Sequence, residues 1–127
     1  ESMIYQMYHG KSPIHVGDPT PVRDFIFESD LLAAYVLAAE SNNKKLLGES
    51  INIGTSKAVS IRDLAAKIRK ITGYTGKIQW NSFPKRDLEI PRLQVDNTKA
   101  KKLLKWAPKI SLDEGLKITA SYYSKKN

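Results

Sequence analysis

Gly17-Asp-Pro-Thr-Pro-Val-Arg-Asp-Phe-Ile-Phe27 is the stretch on which the reading of this chain turns. Gly, Asp and two prolines in close succession predict a stiff turn, since proline fixes φ and the Asp side chain bonds its own backbone. The aromatic and β-branched run that follows predicts a strand over 24–27. Arg23 stands where the two meet. A guanidinium carried at such a junction is held by scaffold on both sides, and its planar fork suits bidentate binding of phosphate. The same position also suits a structural salt bridge to a neighbour such as Asp24 or Asp87, and spacing alone leaves both readings open.

Upstream, Ser2 to His9 sets Met3, Ile4, Met7 and Tyr8 on one helical stripe, with Gly10 as the stop. Ile14 to Val16 predicts a short strand. Downstream, Asp30 to Glu40 predicts a helix apolar on most sides, hence one sandwiched between layers. After the loop Ser41 to Ser50, Ile51-Asn-Ile53 predicts another short strand, closed by Gly54. Ser60-Ile-Arg-Asp63 resembles a capping box and opens an amphipathic helix carrying Ile61, Leu64, Ala65, Ile68 and Ile71, ended by Gly73. Lys77 to Trp80 predicts a strand and Asn81 to Arg92 a polar, proline-bounded loop. Asp96 caps a short helix through Leu104. Ser111-Leu-Asp-Glu114 is a capping box opening a last helix, with Leu112, Leu116, Thr119 and Tyr123 along one face. The expected class is α/β: a small mixed domain of short strands and about five helices, with too few strands for an independent doubly wound sheet.

A chain of 127 residues fits one domain with one modest core. Hydrophobic residues at 41% and charged residues at 27% are ordinary for a globular protein. No apolar run approaches the roughly 18 residues of a membrane span. The absence of cysteine excludes disulfides and thiolate metal sites and fits a cytoplasmic protein. The charge is the outlier: 21 Lys and Arg against 13 Asp and Glu, a net +8. Such a balance favours polyanions, whether nucleic acid, an acidic membrane surface or a phosphorylated small molecule, unless the lysines simply form a solvated surface.

Several familiar signatures fail. No glycine-rich dinucleotide or triphosphate cradle is spelled by the seven glycines. Gly73-Tyr-Thr-Gly76 has the look of an RNA-binding G-x-x-G loop but is explained by a helix stop and a turn. His9 and His15 lack a carboxylate or second histidine at metal-ligand spacing. Tyr122 and Lys126 have the Y-x-x-x-K interval of a tyrosine base, yet lie at the end of the chain as a helix-surface pair. No nucleophile–base pair stands out, so no catalytic residue is assigned. A second placed cation is Arg86, with Glu89 three residues on, able to orient it or a ligand hydroxyl. Two arginines converging on one pocket would clamp a diphosphate.

The order of these segments is similar to the C-terminal part of the extended short-chain dehydrogenase/reductases, the NAD-dependent epimerase/dehydratase family acting on nucleotide sugars. Residues 10–40, GKSPIHVGDPTPVRDFIFESDLLAAYVLAAE, resemble its G-D-G-x-x-x-R-D-F stretch. Residues 51–68, INIGTSKAVSIRDLAAKI, resemble its F-N-[IV]-G segment. Residues 85–116, KRDLEIPRLQVDNTKAKKLLKWAPKISLDEGL, resemble its R-P-x-[DE] loop, the Asp-capped helix ten residues beyond the arginine, and the L-x-E-G-L helix. The departures are Pro19 where the family has glycine, which stiffens the turn, and Lys105 in place of the glycine before Trp106, where positive φ is favoured.

The resemblance implies an NAD-dependent nucleotide-sugar epimerase or 4,6-dehydratase. This chain would be its substrate-binding domain, residues 1–127, with NAD(P) and the catalytic group on an N-terminal Rossmann portion outside it. It implies diphosphate contacts for Arg23 and Arg86 and a contact to the ribose or its surroundings for Glu89. No contact follows for Lys11, and structural roles follow for Asn52 (turn anchor), Asp96 (helix cap) and Lys99. The implied partners are a nucleotide-diphosphate sugar, the Rossmann portion and, in the intact enzyme, a second subunit, with no nucleic acid and no membrane. Glutamate rather than aspartate at position 89 leans to a GDP-mannose dehydratase over a UDP-glucose epimerase. On this reading the first helix and the 31–39 helix would have lost partners and would expose apolar surface. The alternative is a basic nucleic-acid-binding module with a stripe of lysines on one face.

Overall fold

The structure, a computed structural model, describes residues 1–84 and 88–125. Among the described residues five α-helices and five short strands follow one another: α1 (Ser2–His9), β1 (Ile14–His15), β2 (Val22–Asp24), α2 (Glu28–Ala39), β3 (Ala58–Ser60), α3 (Ile61–Thr72), β4 (Ile78–Gln79), β5 (Arg92–Leu93), α4 (Thr98–Leu104) and α5 (Leu112–Ser124). The mixed α/β class expected from the sequence is the class observed. Two small sheets carry it. In one, β1 and β4 run parallel with Ile14 opposite Ile78; in the other, β2 lies between antiparallel β3 and parallel β5.

The best-patterned helix is α3. Ser60 accepts a hydrogen bond from the Asp63 N–H at 3.0 Å, and Asp63 in turn accepts from the Ser60 hydroxyl at 2.7 Å. At the other end Gly73 takes φ +70°, which glycine adopts without a Cβ clash. In α5 the Glu114 N–H is capped by Ser111 at 3.2 Å. Lys105 closes α4 at φ +56°, in the left-handed conformation that favours the glycine it replaces. Asp96 accepts from the Thr98 N–H at 2.9 Å, so its carboxylate caps α4 from one residue ahead of the helical boundary at Asn97. Gly10 ends α1 in extended backbone; a Cβ there would meet the Gln6 carbonyl oxygen at 2.5 Å.

Two clusters of buried side chains form. Ile4, Met7, Ile14, Val16, Ile68 and Ala120 join α1, β1, α3 and α5. Ala34, Ala100, Leu104 and Trp106 join α2 to α4. The second is pinned by Asp30, 4% exposed, whose carboxylate accepts from the N–H groups of Lys109 (3.0 Å) and Ile110 (2.9 Å) while its carbonyl accepts from the Trp106 indole at 2.9 Å. Desolvating a carboxylate is tolerated because donors replace its water.

Several expectations are corrected. The strand predicted over 24–27 is observed over 22–24, because pairing ends at Asp24 with β3 and at Arg23 with β5. Ile51–Ile53 forms no strand; its β-branched residues pack against the second cluster without a pairing partner. Strands β3 and β5 were not expected. The first helix keeps its partners, since Ile4 and Met7 are buried. The second is not sandwiched: Leu32 (61%), Tyr35 (64%) and Val36 (52%) stand exposed, as the loss of a partner would require. No described helix is long and apolar enough to cross a membrane.

Candidate functional site

Strand β2 positions Arg23, and the turn before it is braced from two directions. Asp18 accepts from the Thr20 N–H (2.8 Å) and hydroxyl (2.7 Å), closing the turn on itself. The carbonyls of Pro19 and Pro21 accept from the N–H groups of Arg62 and Ile61, each at 3.0 Å. The first two donors of α3, which have no partner inside the helix, are thus satisfied by the proline turn. Stiffness at Pro19 therefore fixes the turn on the helix start.

Arg23 and Asp24, adjacent on one strand, are used differently. The Asp24 carboxylate accepts from the N–H groups of Thr55 (3.0 Å), Ser56 (2.8 Å) and Val95 (3.3 Å), and from the Thr55 hydroxyl. It fastens the Gly54–Ser56 turn and the chain after β5 to the central strand. Asn97 completes the anchor, its amide donating to the Gly54 carbonyl at 2.8 Å. Gly54 is needed there: a Cβ would lie 2.6 Å from the Val95 side chain. Asn52, expected to anchor this turn, is exposed and makes no side-chain hydrogen bond among the described residues. Lys99 bonds Glu49 at 2.7 Å and the Ser50 carbonyl at 3.1 Å.

Arg23 turns the other way, toward the loop before β5. One terminal nitrogen, Nη1, donates to the carbonyls of Val22 and Ile90, each at 2.9 Å; the other, Nη2, is ion-paired with Glu89. Among the described residues its ion-pair partner is Glu89 and not Asp24; Asp87, the other neighbour weighed from sequence, lies outside the described residues. The Arg23 side chain is 23% exposed and that of Glu89 33%, so the pair lies at the surface and open on one side. A guanidinium has five N–H donors, and these contacts engage three of them. The Nε–H and one Nη2 hydrogen make no contact among the described residues. Arg86 lies outside the described residues. Of the three sequence-predicted site residues, the structure brings Arg23 and Glu89 together.

Where β2 runs out, a concavity of about 590 Å³ opens, lined by Phe25, Phe27, Leu112, Leu116 and Tyr122 among others. The Phe27 ring lies against Gly115 of α5, where a Cβ would stand 2.9 Å from its Cδ2. In the sequence the only signal of this hollow is the alternation Phe25-Ile26-Phe27. No His, Asp or Glu cluster able to hold a metal ion occurs among the described residues. The described residues likewise form no strand, glycine-rich turn and helix start of the kind that cradles a dinucleotide.

Set against known proteins, this arrangement has a family. The chain belongs to the family described as GDP-mannose 4,6 dehydratase, whose model matches residues 1–119. It is 35% identical over 119 residues to a UDP-glucuronate 4-epimerase of Thermodesulfobacterium geofontis, matching 92% of this chain and 35% of that one. Its fold superposes with TM-score 0.84 on the UDP-glucose 4-epimerase of Thermotoga maritima, solved with UDP-glucose, at 35% identity over 97% of this chain and 38% of that one. With the UDP-glucuronic acid 4-epimerase of Bacillus cereus, solved with UDP-glucuronic acid and NAD, the TM-score is 0.85 at 33% identity, covering 99% of this chain and 39% of that one. The chain corresponds to the C-terminal part of these relatives and spans less than two fifths of their length.

Proposed function

We propose that this chain is the substrate-holding part of an NAD-dependent nucleotide-sugar epimerase or dehydratase, and that Arg23 grips the diphosphate of the substrate. The single observation that carries this is Arg23 itself: centrally placed in a braced three-stranded sheet, half-buried, with two N–H donors that no described residue engages. Family membership and the nucleotide-sugar ligands of the two solved relatives support it.

Glu89 pre-aligns the guanidinium, and Arg86, three residues earlier in the chain, supplies the second cation of the clamp. In the intact enzyme NAD(P), held by the N-terminal portion, supplies hydride transfer at the sugar. The exposed Leu32, Tyr35 and Val36 of α2 are the surface against which that portion packs. The diphosphate is remote from the reacting carbon, so the arginines contribute binding common to ground and transition states. Arg23→Ala or Arg86→Ala in the full-length enzyme should therefore raise KM roughly ten- to a hundredfold, with kcat little changed, as expected for a charge-assisted bond. An unaltered KM in a folded variant would refute the clamp.

A further inference from the structure

A second cationic feature lies away from Arg23, between α3 and β4. There a groove of about 550 Å³ is lined by Arg62, Ala65, Ala66 and Arg69 of the helix and by Lys77 to Trp80 of the strand segment. Arg62 and Arg69 are seven residues apart on one helical face, about 10 Å along the axis. The alanines between them form a low floor. Each arginine reaches across at one end of the groove. The Arg62 guanidinium lies over the Trp80 ring, 5.6 Å from its centroid, and Arg69 lies over Tyr74 at 5.9 Å and donates to the Gly76 carbonyl at 2.7 Å. No carboxylate lines the groove among the described residues, and neither Arg62 nor Lys77 makes an ion pair there.

The strand wall is unpartnered as well. The Ile14 N–H donates to the Lys77 carbonyl (3.0 Å) and the Val16 N–H to the Gln79 carbonyl (2.9 Å), so those carbonyls face β1. Alternation along a strand turns the N–H and C=O of Ile78 to the opposite side. No strand pairs with β4 on that side among the described residues. One wall thus offers main-chain hydrogen bonds, and three cations stand around it.

We infer that this groove binds an extended acidic peptide segment of a partner protein, which adds as a strand to the β4 edge and sets its carboxylates against Arg62, Arg69 and Lys77. Backbone pairing supplies the docking mode, and charge complementarity selects the partner. A single-stranded nucleic acid fits less well. It would need open aromatic faces for its bases, and Trp80 and Tyr74 each carry an arginine over one face while the ring packs against the first core cluster. This inference is independent of the nucleotide-sugar reading.

The test is fluorescence anisotropy of the full chain with an end-capped, labelled peptide of alternating glutamate and valine. The peptide should bind. Arg62→Glu with Arg69→Glu should weaken it roughly tenfold or more, whereas Lys101→Glu with Lys102→Glu, the same change in net charge on exposed α4, should not. Should the double reversal fail to fold by circular dichroism, Arg62→Gln with Arg69→Gln serves, and the same direction is expected. Methylating alternate peptide nitrogens should abolish binding by blocking strand addition. The proposal is overturned by absent peptide binding, by equal loss in the α4 variant, by binding of the methylated peptide, or by an oligothymidine of equal charge binding at least as tightly to the same two arginines.

Discussion

Glu89 is ion-paired with Arg23 across the start of the β2–β5 pairing, 66 residues away in sequence. The carboxylate takes one of the two Nη2 hydrogens, a donor that a phosphate oxygen could otherwise engage. Glu89 therefore aligns the arginine and competes with phosphate for it. Relieving that competition should show directly. Glu89→Gln should tighten binding of UDP, GDP or inorganic pyrophosphate to this chain severalfold by calorimetry, while Arg23→Ala weakens it by roughly tenfold or more. Weaker binding in Glu89→Gln would mean that the carboxylate itself contacts the ligand, as the family resemblance implies for the ribose.

The neighbouring Asp24 carries structure where Arg23 carries charge. Its carboxylate satisfies three backbone N–H groups from two separate segments. Removing it leaves them without partners at a half-buried site, and Asp24→Ala should cost about 3 kcal/mol in urea denaturation. Asp24→Asn keeps the shape and one acceptor oxygen, and should cost about half of that. A loss within experimental error for Asp24→Ala would show that water takes over the donors.

How much of this was legible in the sequence depends on whether a residue's partner was near it in the chain. Helix α3 was readable end to end because Ser60, Asp63 and Gly73 act on backbone within a turn of themselves. Strands β3 and β5 were not, for each is two or three residues long and exists only because β2 pairs with it. Ile51–Ile53 carried the stronger strand composition and found no such pairing. Arg23 was visible as a placed cation; its engagement by Glu89 and by the Ile90 carbonyl was not, because nothing local encodes a contact at that separation. Asn97 and Asp24, which do the anchoring expected of Asn52, were invisible for the same reason.

Lys105 holds φ +56° at the end of α4, where a side chain strains the backbone. The strain is local and the lysine is exposed, so Lys105→Gly should raise stability by about 1 kcal/mol, read as an upward shift of the denaturation midpoint at unchanged slope. A decrease would mean that the glycine's extra freedom in the unfolded chain outweighs the relieved strain.

Two exposed carboxylates set a pH dependence. Asp113 is held below its ordinary value of 3.8 by its hydrogen bond to the Lys67 ammonium and by the lysine charges around it. Asp96 is lowered from the same value by the Thr98 side chain and N–H. A carboxylate whose folded-state pKa is depressed adds stability that is complete above its unfolded value and lost as pH falls through the folded one. The melting temperature should thus be level on this account down to about pH 4.5 and fall below pH 3.8. In Asp113→Asn with Asp96→Asn the fall should be shallower, with a lower melting temperature than the parent at pH 6 and a difference that shrinks as pH falls below 3.8. Parallel curves would exclude both groups as its source.

The apolar face of α2 makes the last prediction. Leu32, Tyr35 and Val36 lie on one side of the helix, each more than half exposed, while Ala34 and Asp30 on the other side fasten it to α4 and the chain beyond. A helix held by one edge and bare on the other leaves an apolar patch of the kind soluble monomers cover. The chain should accordingly self-associate as its concentration rises, measured by sedimentation velocity. Leu32→Glu with Val36→Lys should abolish the association while leaving the denaturation midpoint within about 0.5 kcal/mol of the parent, since neither side chain is packed. In a full-length enzyme the same pair should instead lower stability if, as proposed, the face is occupied there. Unchanged association in the double variant would locate the self-contact elsewhere, and unchanged full-length stability would remove α2 from the interface with the cofactor-binding portion.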